Sequence, residues 1–234
     1  TQPLLTADIT GLGTLRVLDA IKENAPSAKF YQASSSEMFG NSPGMKDENS
    51  PFKPRSPYGA AKVFAHQIAN HYREAYNIFA CCGILFNHES PLRGIEFVTR
   101  RITWNLARIK SKKIKNFTLG NIYAKRDWGF AGDYVESMWQ MLQQDKPDDY
   151  VVATGESHSV EEFLTLASEY AGLGDWHDFV KIDEFNMRPT DIDELTGDSS
   201  KARKKLGWKP KMEFNDLVKH MVYHDIDYFK NPTV

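Results

Sequence analysis

The chain has 234 residues, 41% of them hydrophobic and 26% charged, with 29 Lys and Arg against 31 Asp and Glu for a net charge of −2. That length allows one large domain or two small ones with enough core to fold unaided. The even charge balance, without basic or acidic blocks, argues against nucleic acid and anionic membrane as partners. No apolar run approaches the ~20 residues of a membrane helix. Cys81 and Cys82 are neighbours in an apolar run and would point to opposite faces of a strand, so we expect buried free thiols and a reducing compartment, the cytoplasm.

In chain order, Leu12, Leu15, Leu18 and Ile21 draw one apolar stripe and predict a helix over residues 10–25. A short strand from Lys29 ends near Ser34, and Gly40, Pro43, Gly44, Pro51, Pro54 and Pro57 predict a long loop over 40–57. A loop this long inside a compact domain is usually functional or mobile. Ala60, Ala61, Phe64, Ala65, Ile68 and Ala69 repeat at three and four, which predicts a helix from Tyr58 to Tyr76. The nearly unbroken apolar run Ile78–Phe86 reads as a central parallel strand covered on both faces. Helix, strand, loop, helix, strand in this order is the second half of a doubly wound sheet.

Beyond Pro91 the elements shorten. Helices are predicted over 97–111 and 133–143, with a short strand over Tyr150–Ala153. Ser159 with Glu162 forms a capping-box pattern opening a helix to about Ala171. Asp198-Ser199 starts another helix, closed by Gly207 and Pro210, and Asn215-Asp216 begins the last one.

Three segments fall at carboxyl ends of strands or open the helix between them, where an open α/β sheet places its site. They are Ser34-Ser35-Ser36-Glu37, Tyr58-Gly59-Ala60-Ala61-Lys62, and Asn87-His88-Glu89-Ser90-Pro91-Leu92-Arg93-Gly94. Tyr58 and Lys62, four apart, share a helix face. A phenol acting as base at neutral pH needs roughly three units of depression from its pKa of ~10, about 4 kcal/mol. A nearby lysine and a positively charged nicotinamide would supply it. Each segment alone has an ordinary meaning. A Tyr-x-x-x-Lys pair recurs by chance in helices, Ser34–Glu37 fits a capping box with no helix after it worth capping, and a lone His88 would be a hydrogen-bonded strand-end histidine. His220 and His224, four apart on the last helix, lack a third ligand nearby and are read as an exposed face, so no metal is expected.

These segments resemble the GDP-mannose 4,6-dehydratases, of the extended short-chain dehydrogenase/reductase type. So do Gly94–Arg100, Ala124-Lys125-Arg126-Asp127-Trp128-Gly129, Ala153-Thr154-Gly155 and Arg188-Pro189-Thr190. The resemblance runs from about Thr6 to the C-terminal helix. It implies an α/β fold: the C-terminal part of a doubly wound, Rossmann-like parallel sheet plus a smaller α/β substrate-binding domain. Residues 1–92, with about 126–154 returning, would form the second half of the NADP-binding domain; 93–125 and 155–234 would hold the GDP-sugar. Tyr58 would be the base for oxidation at sugar C4, with Lys62 binding the nicotinamide ribose and assisting it. Glu37 would be the acid/base for C5 and C6, and Ser35 the hydroxyl near O4. His88 and Arg93 would touch NADP; Asn87, Arg101, Arg126, Arg188 and Asp191 would contact the GDP portion. The implied reaction dehydrates GDP-mannose in a homodimer or homotetramer.

Epimerases and 4-keto reductases of the superfamily share the Tyr and Lys without an expected Glu at position 37, and dTDP-glucose dehydratases carry Asp-Glu where this chain has Ser36-Glu37. Two motif positions depart from the family: Ser35 stands where Thr is common, and Asp191 where Glu is common. No Gly-x-x-Gly-x-x-Gly turn occurs in the chain. We expect it upstream of Thr1, about a hundred residues earlier, at a helix N-terminus that receives the pyrophosphate. A chain that began at Thr1 would be an inactive fragment or a partner subunit retaining dimer and GDP-binding surfaces.

Overall fold

The computed structural model describes residues 2–183 and 192–230. A long helix in three pieces comes first: α1 (Pro3–Thr6), a π-helical turn (Ala7–Leu12) and α2 (Gly13–Asn24). It begins earlier than the apolar stripe predicts because Pro3, with no N–H to lose, opens the first turn. Strand β1 (Phe30–Ser35) runs into a single 3-10 turn over Ser36–Met38. Ser35, not Ser34, caps that turn, its Oγ accepting from Glu37 N at 3.3 Å.

The following loop is fastened to the rest of the fold. Lys53 N donates to Met38 O, Lys46 forms a bridge with Gly197, and Glu48 accepts from Val151 N at 2.7 Å. Gly40 has φ +60, and a Cβ there would lie 1.8 Å from Lys53 O, so only glycine lets the loop fold back here.

Helix α3 (Pro57–Tyr76) starts on Pro57, with Ser56 Oγ accepting from Gly59 N at 3.0 Å. Strand β2 (Ala80–Leu85) is buried throughout, as its unbroken apolar run requires. Next come β3 (Asn87–Glu89), α4 (Val98–Lys110), β4 (Phe117–Leu119), β5 (Lys125–Arg126), β6 (Trp128–Phe130) and α5 (Ala131–Gln143). They are followed by β7 (Asp149–Val152), β8 (His158–Ser159), α6 (Val160–Ala171), β9 (Val180–Ile182), β10 (Glu194–Leu195), α7 (Ser200–Leu206) and α8 (Phe214–Lys230). Both hydrogen bonds of the predicted capping box open α6, and Gly207 at φ +67 closes α7. Strands β3 to β6 and β8 to β10 escape the sequence reading. They have two or three residues each, too few to show a period of two.

The main sheet is parallel, in the order β1-β2-β7, with Ser35 beside Leu85 in register. Successive residues of β2 serve opposite cores: Ala80 and Cys82 pack with Leu18, Ala69 and Tyr72 under α2 and α3. Cys81 and Leu85 pack with Tyr134, Met141, Ala202 and Trp208 under α5 and α7. Both cysteines are buried and free, and burial pushes both thiols up from their ordinary range. Pairing β3-β6 is parallel; β5 pairs parallel with β10 and antiparallel with β8.

A second core joins α4, α6 and α8 with the parallel pair β4-β9, around Trp128, Phe163, Leu217 and Met221. Inside it Asp225, fully buried, accepts from Arg100 Nη1 at 2.6 Å and Thr103 Oγ1 at 2.7 Å, while Arg100 Nε donates to Pro91 O. No helix among the described residues is long and apolar enough to cross a membrane.

Two substitutions test this packing. Asp225→Ala leaves the Arg100 charge buried without its partner and should cost about 3–5 kcal/mol in denaturant unfolding. At Gly59 an added Cβ would lie 2.8 Å from the Glu37 carbonyl oxygen. Gly59→Ala should therefore lose about 1–3 kcal/mol in the same assay, although alanine is the better helix former.

Candidate active site

The sheet brings the carboxyl ends of β1 and β2 side by side, and α3 begins directly over the first of them. Gly59, lacking a Cβ, lets the first turn of α3 approach the backbone of Glu37. That approach delivers Tyr58 to the end of β1. The Ser35 hydroxyl, the Glu37 carboxylate and the Arg93 guanidinium all lie close enough to the Tyr58 phenol to act on it, and the Tyr58 ring is itself 43% exposed. Lys62, one turn on, holds its Nζ 5.5 Å from the centre of the Tyr58 ring and donates to Ala33 O at 2.8 Å.

The electrostatics differ from the expected depression of the phenol. Burial raises the Tyr58 pKa above its ordinary value; the Ser35 hydrogen bond lowers it, the Glu37 charge raises it, and Arg93 lowers it, with the net shift upward. The Lys62 ammonium does not offset this. It has itself lost hydration, which lowers its pKa, and it is committed to a strand carbonyl. The protein groups on their own therefore keep Tyr58 protonated at neutral pH.

Beyond β2, His88 lies on β3 opposite Gly129, with Nδ1 2.9 Å from Phe86 O, so Nδ1 carries the proton and Nε2 is left as an acceptor. Its ring stacks on Tyr134 at 5.2 Å, and burial lowers its pKa. Arg93 stands 3.3 Å from Glu89 and packs its guanidinium 3.6 Å from the Phe97 ring centre. Glu89 is almost fully buried, accepts from Thr99 Oγ1 at 2.6 Å, and has its pKa raised by that burial.

Ser35, Glu37, Tyr58, Lys62 and Arg93 are thus brought together, with Asn87 and His88 on the adjoining strand. Arg101 lies in the first turn of α4, its N–H bonded to Phe97 O at 2.7 Å. Arg126, on β5, is largely buried and directs Nη1 to Ile192 O and Lys125 O. Arg188 and Asp191 lie outside the described residues.

One group escaped the sequence reading. His66, Asn70 and Arg73 continue the Tyr58–Lys62 face of α3 and meet Asp149 on β7: His66 Nε2 at 3.4 Å, Asn70 Nδ2 at 3.0 Å, and Arg73 in an ion pair. The signal was present, because 58, 62, 66 and 70 keep a spacing of four. His66, Cys82 and Asp149 also place ligand-type atoms within 4.8 Å of one another. The Arg73 guanidinium already occupies that carboxylate and would repel a cation.

The family described as GDP-mannose 4,6 dehydratase matches residues 1–221. GDP-mannose 4,6 dehydratase 1 of Arabidopsis thaliana is 56% identical over 99% of this chain, and the human GDP-mannose 4,6 dehydratase is 49% identical over 97%. The chain spans 65% and 66% of the lengths of these two relatives. Two solved structures share the fold at low identity. RMD of Pseudomonas aeruginosa, complexed with NADPH, superposes with a TM-score of 0.87 at 22% identity, over 97% of this chain and 76% of its own. The dTDP-glucose 4,6-dehydratase of Bacillus anthracis, in complex with NAD, gives 0.83 at 21%, over 96% and 69%. With an α/β fold on parallel sheets and this extent of sequence identity, the chain belongs to the GDP-mannose 4,6 dehydratase family.

Proposed function

We propose that the protein carrying this chain dehydrates GDP-D-mannose to GDP-4-keto-6-deoxy-D-mannose. The observation that carries the reading is the close approach of the first turn of α3 to the backbone of Glu37, which sets Tyr58 beside the Ser35–Glu37 turn at the end of β1, with Lys62 one turn behind. A carboxylate beside the phenol equips the site for elimination as well as for alcohol oxidation. The site needs a hydride acceptor, and its donors fit one: an ammonium, a half-buried imidazole and a guanidinium at neighbouring strand ends suit ribose hydroxyls and phosphates. Lys62, His88 and Arg93 would hold NADP there, and when bound it accepts hydride from the sugar C4 and returns it to C6.

Tyr58 takes the proton of the C4 hydroxyl, and Ser35 steadies the developing phenolate through its hydrogen bond. A ketone at C4 makes the C5 proton removable, because the electron pair left behind is delocalised as an enolate. Glu37 takes that proton and delivers it to the C6 hydroxyl, which departs as water; once C6 has received hydride, the enolate is protonated at C5 through Glu37, with the proton Tyr58 took from the C4 hydroxyl balancing the cycle. Asn87, Arg101, Arg126, Arg188 and Asp191 are assigned to the GDP moiety, where guanidinium groups pair with phosphate oxygens.

We assign residues 1–92 with about 126–154 to the nucleotide-binding unit, and 93–125 with 155–234 to the sugar-nucleotide unit. The exposed Leu4, Ile9, Leu12 and Phe64, on the N-terminal helix and α3, support a homodimer or homotetramer in which this face is covered. The two buried thiols support a cytoplasmic location.

In the full-length protein, Glu37→Gln should lower product formation from GDP-mannose by about 10²–10⁴-fold. Oxidation at C4 should persist, visible as reduced-nicotinamide absorbance in a single turnover. Normal turnover by this variant would remove Glu37 from the chemistry.

A further inference from the structure

Below Lys62, the polar face of α3 reaches groups that the proposed chemistry leaves unused. His66 Nδ1 lies 2.8 Å from Ser34 Oγ on β1, and its Nε2 faces Asp149 on β7 at 3.4 Å. Asn70 donates to Asp149 and also comes within 3.3 Å of His66 Nε2; Arg73 joins Asp149 and donates through Nε to Ala80 O. Hydroxyl, imidazole and carboxylate in that order form the relay that elsewhere activates a serine nucleophile. Here Ser34 is 4% exposed and His66 3%, with Phe52 set edge-on against the imidazole at 5.2 Å, so no substrate reaches the hydroxyl.

The arrangement can instead fix an orientation. The Asn70 amide, a donor 3.3 Å from Nε2, leaves that nitrogen an acceptor, so Nδ1 carries the proton and donates it to the Ser34 hydroxyl. Ser34 is then tied to α3 by its side chain, just as Ala33 is tied to it by the Lys62 ammonium. The next residue is Ser35, which caps the turn carrying Glu37, and Gly59, next to Tyr58, packs on that turn.

We propose that His66 is a positioning residue: through Ser34 it holds the end of β1 so that Ser35 and Glu37 meet Tyr58. Its effect on turnover rests on the dehydratase reading, whereas its effect on Tyr58 rests on the Ser34 bond and the approach of α3 to the end of β1.

The test uses the full-length protein with His66→Phe, Ser34→Ala, the double variant, and His66→Asn, whose side-chain amide N–H can stand in for Nδ1–H. Turnover of GDP-mannose is measured alongside the titration of the Tyr58 ring carbon resonance without substrate, assigned by Tyr58→Phe. His66→Phe and Ser34→Ala should each lower kcat about 10- to 100-fold, since small displacements of reacting groups are costly. KM should stay within about twofold of the parent. The double variant should lose no more than the worse single one, because both cut one link. Tyr58 should titrate higher in both single variants as the Ser35 contact loosens, and His66→Asn should restore the titration and most of kcat.

An unchanged Tyr58 titration in folded His66→Phe, additive losses in the double variant, or a His66→Asn as poor as His66→Phe would each overturn the proposal. If His66→Phe does not fold, Ser34→Ala, which removes one buried hydroxyl, decides by the same titration. A parent protein that leaves GDP-mannose untouched refutes the dehydratase reading, and the Tyr58 titrations still judge His66.

Discussion

At Gly59 the first turn of α3 passes so close to Glu37 that a methyl group would lie 2.8 Å from its carbonyl oxygen. This contact joins two pieces of chain separated by the whole 39–56 loop. Everything chemical follows from it. Tyr58 precedes the glycine, Lys62 follows one turn later, and Glu37 and Ser35 lie on the other side of the same approach. The loop between them contributes through what fastens it. The Lys46 bridge, the Glu48 acceptor and the Gly40 reversal set where α3 begins.

The face α3 turns toward the sheet divides along its length. Ala61, Ala65 and Ala69 are small and buried, allowing the helix to lie close to β1 and β2. Beside them Lys62, His66, Asn70 and Arg73 carry hydrogen bonds to Ala33, Ser34, Asp149 and Ala80. Apolar contact alone would tolerate a helix that slides or rotates by part of a turn. Directional bonds to three successive strands do not, since a displaced helix would leave buried donors unsatisfied. A site whose groups must meet within tenths of an ångström needs that second kind of restraint.

The electrostatics mark the site as unfinished by protein alone. Burial opposes ionisation of Tyr58, and the lysine nearest to it is drawn to a carbonyl.

How much of this was legible in the residues depends on the range of the interactions. Long elements announce themselves locally. The run 78–86 must be a doubly covered strand and the repeat 58–76 a helix, because their periods are complete within the segment. Order along the chain marked the segments Ser34–Glu37, Tyr58–Lys62 and Asn87–Gly94 as candidates, since each follows a strand or opens a helix, while the roles of single residues in them came from the family resemblance. The two- and three-residue strands β3 to β6 and β8 to β10 were beyond reach, because they exist only through pairing with distant chain.

The sequence by itself determined that Tyr58 and Lys62 share a face, that Cys81 and Cys82 diverge, and that Ser159 with Glu162 opens a helix. Tertiary structure alone decided that Asp149, seventy-six residues beyond Arg73, completes the seam under that face. It also decided that the phenol is raised rather than lowered, because burial is a property of what the fold places around a side chain and no local pattern encodes it.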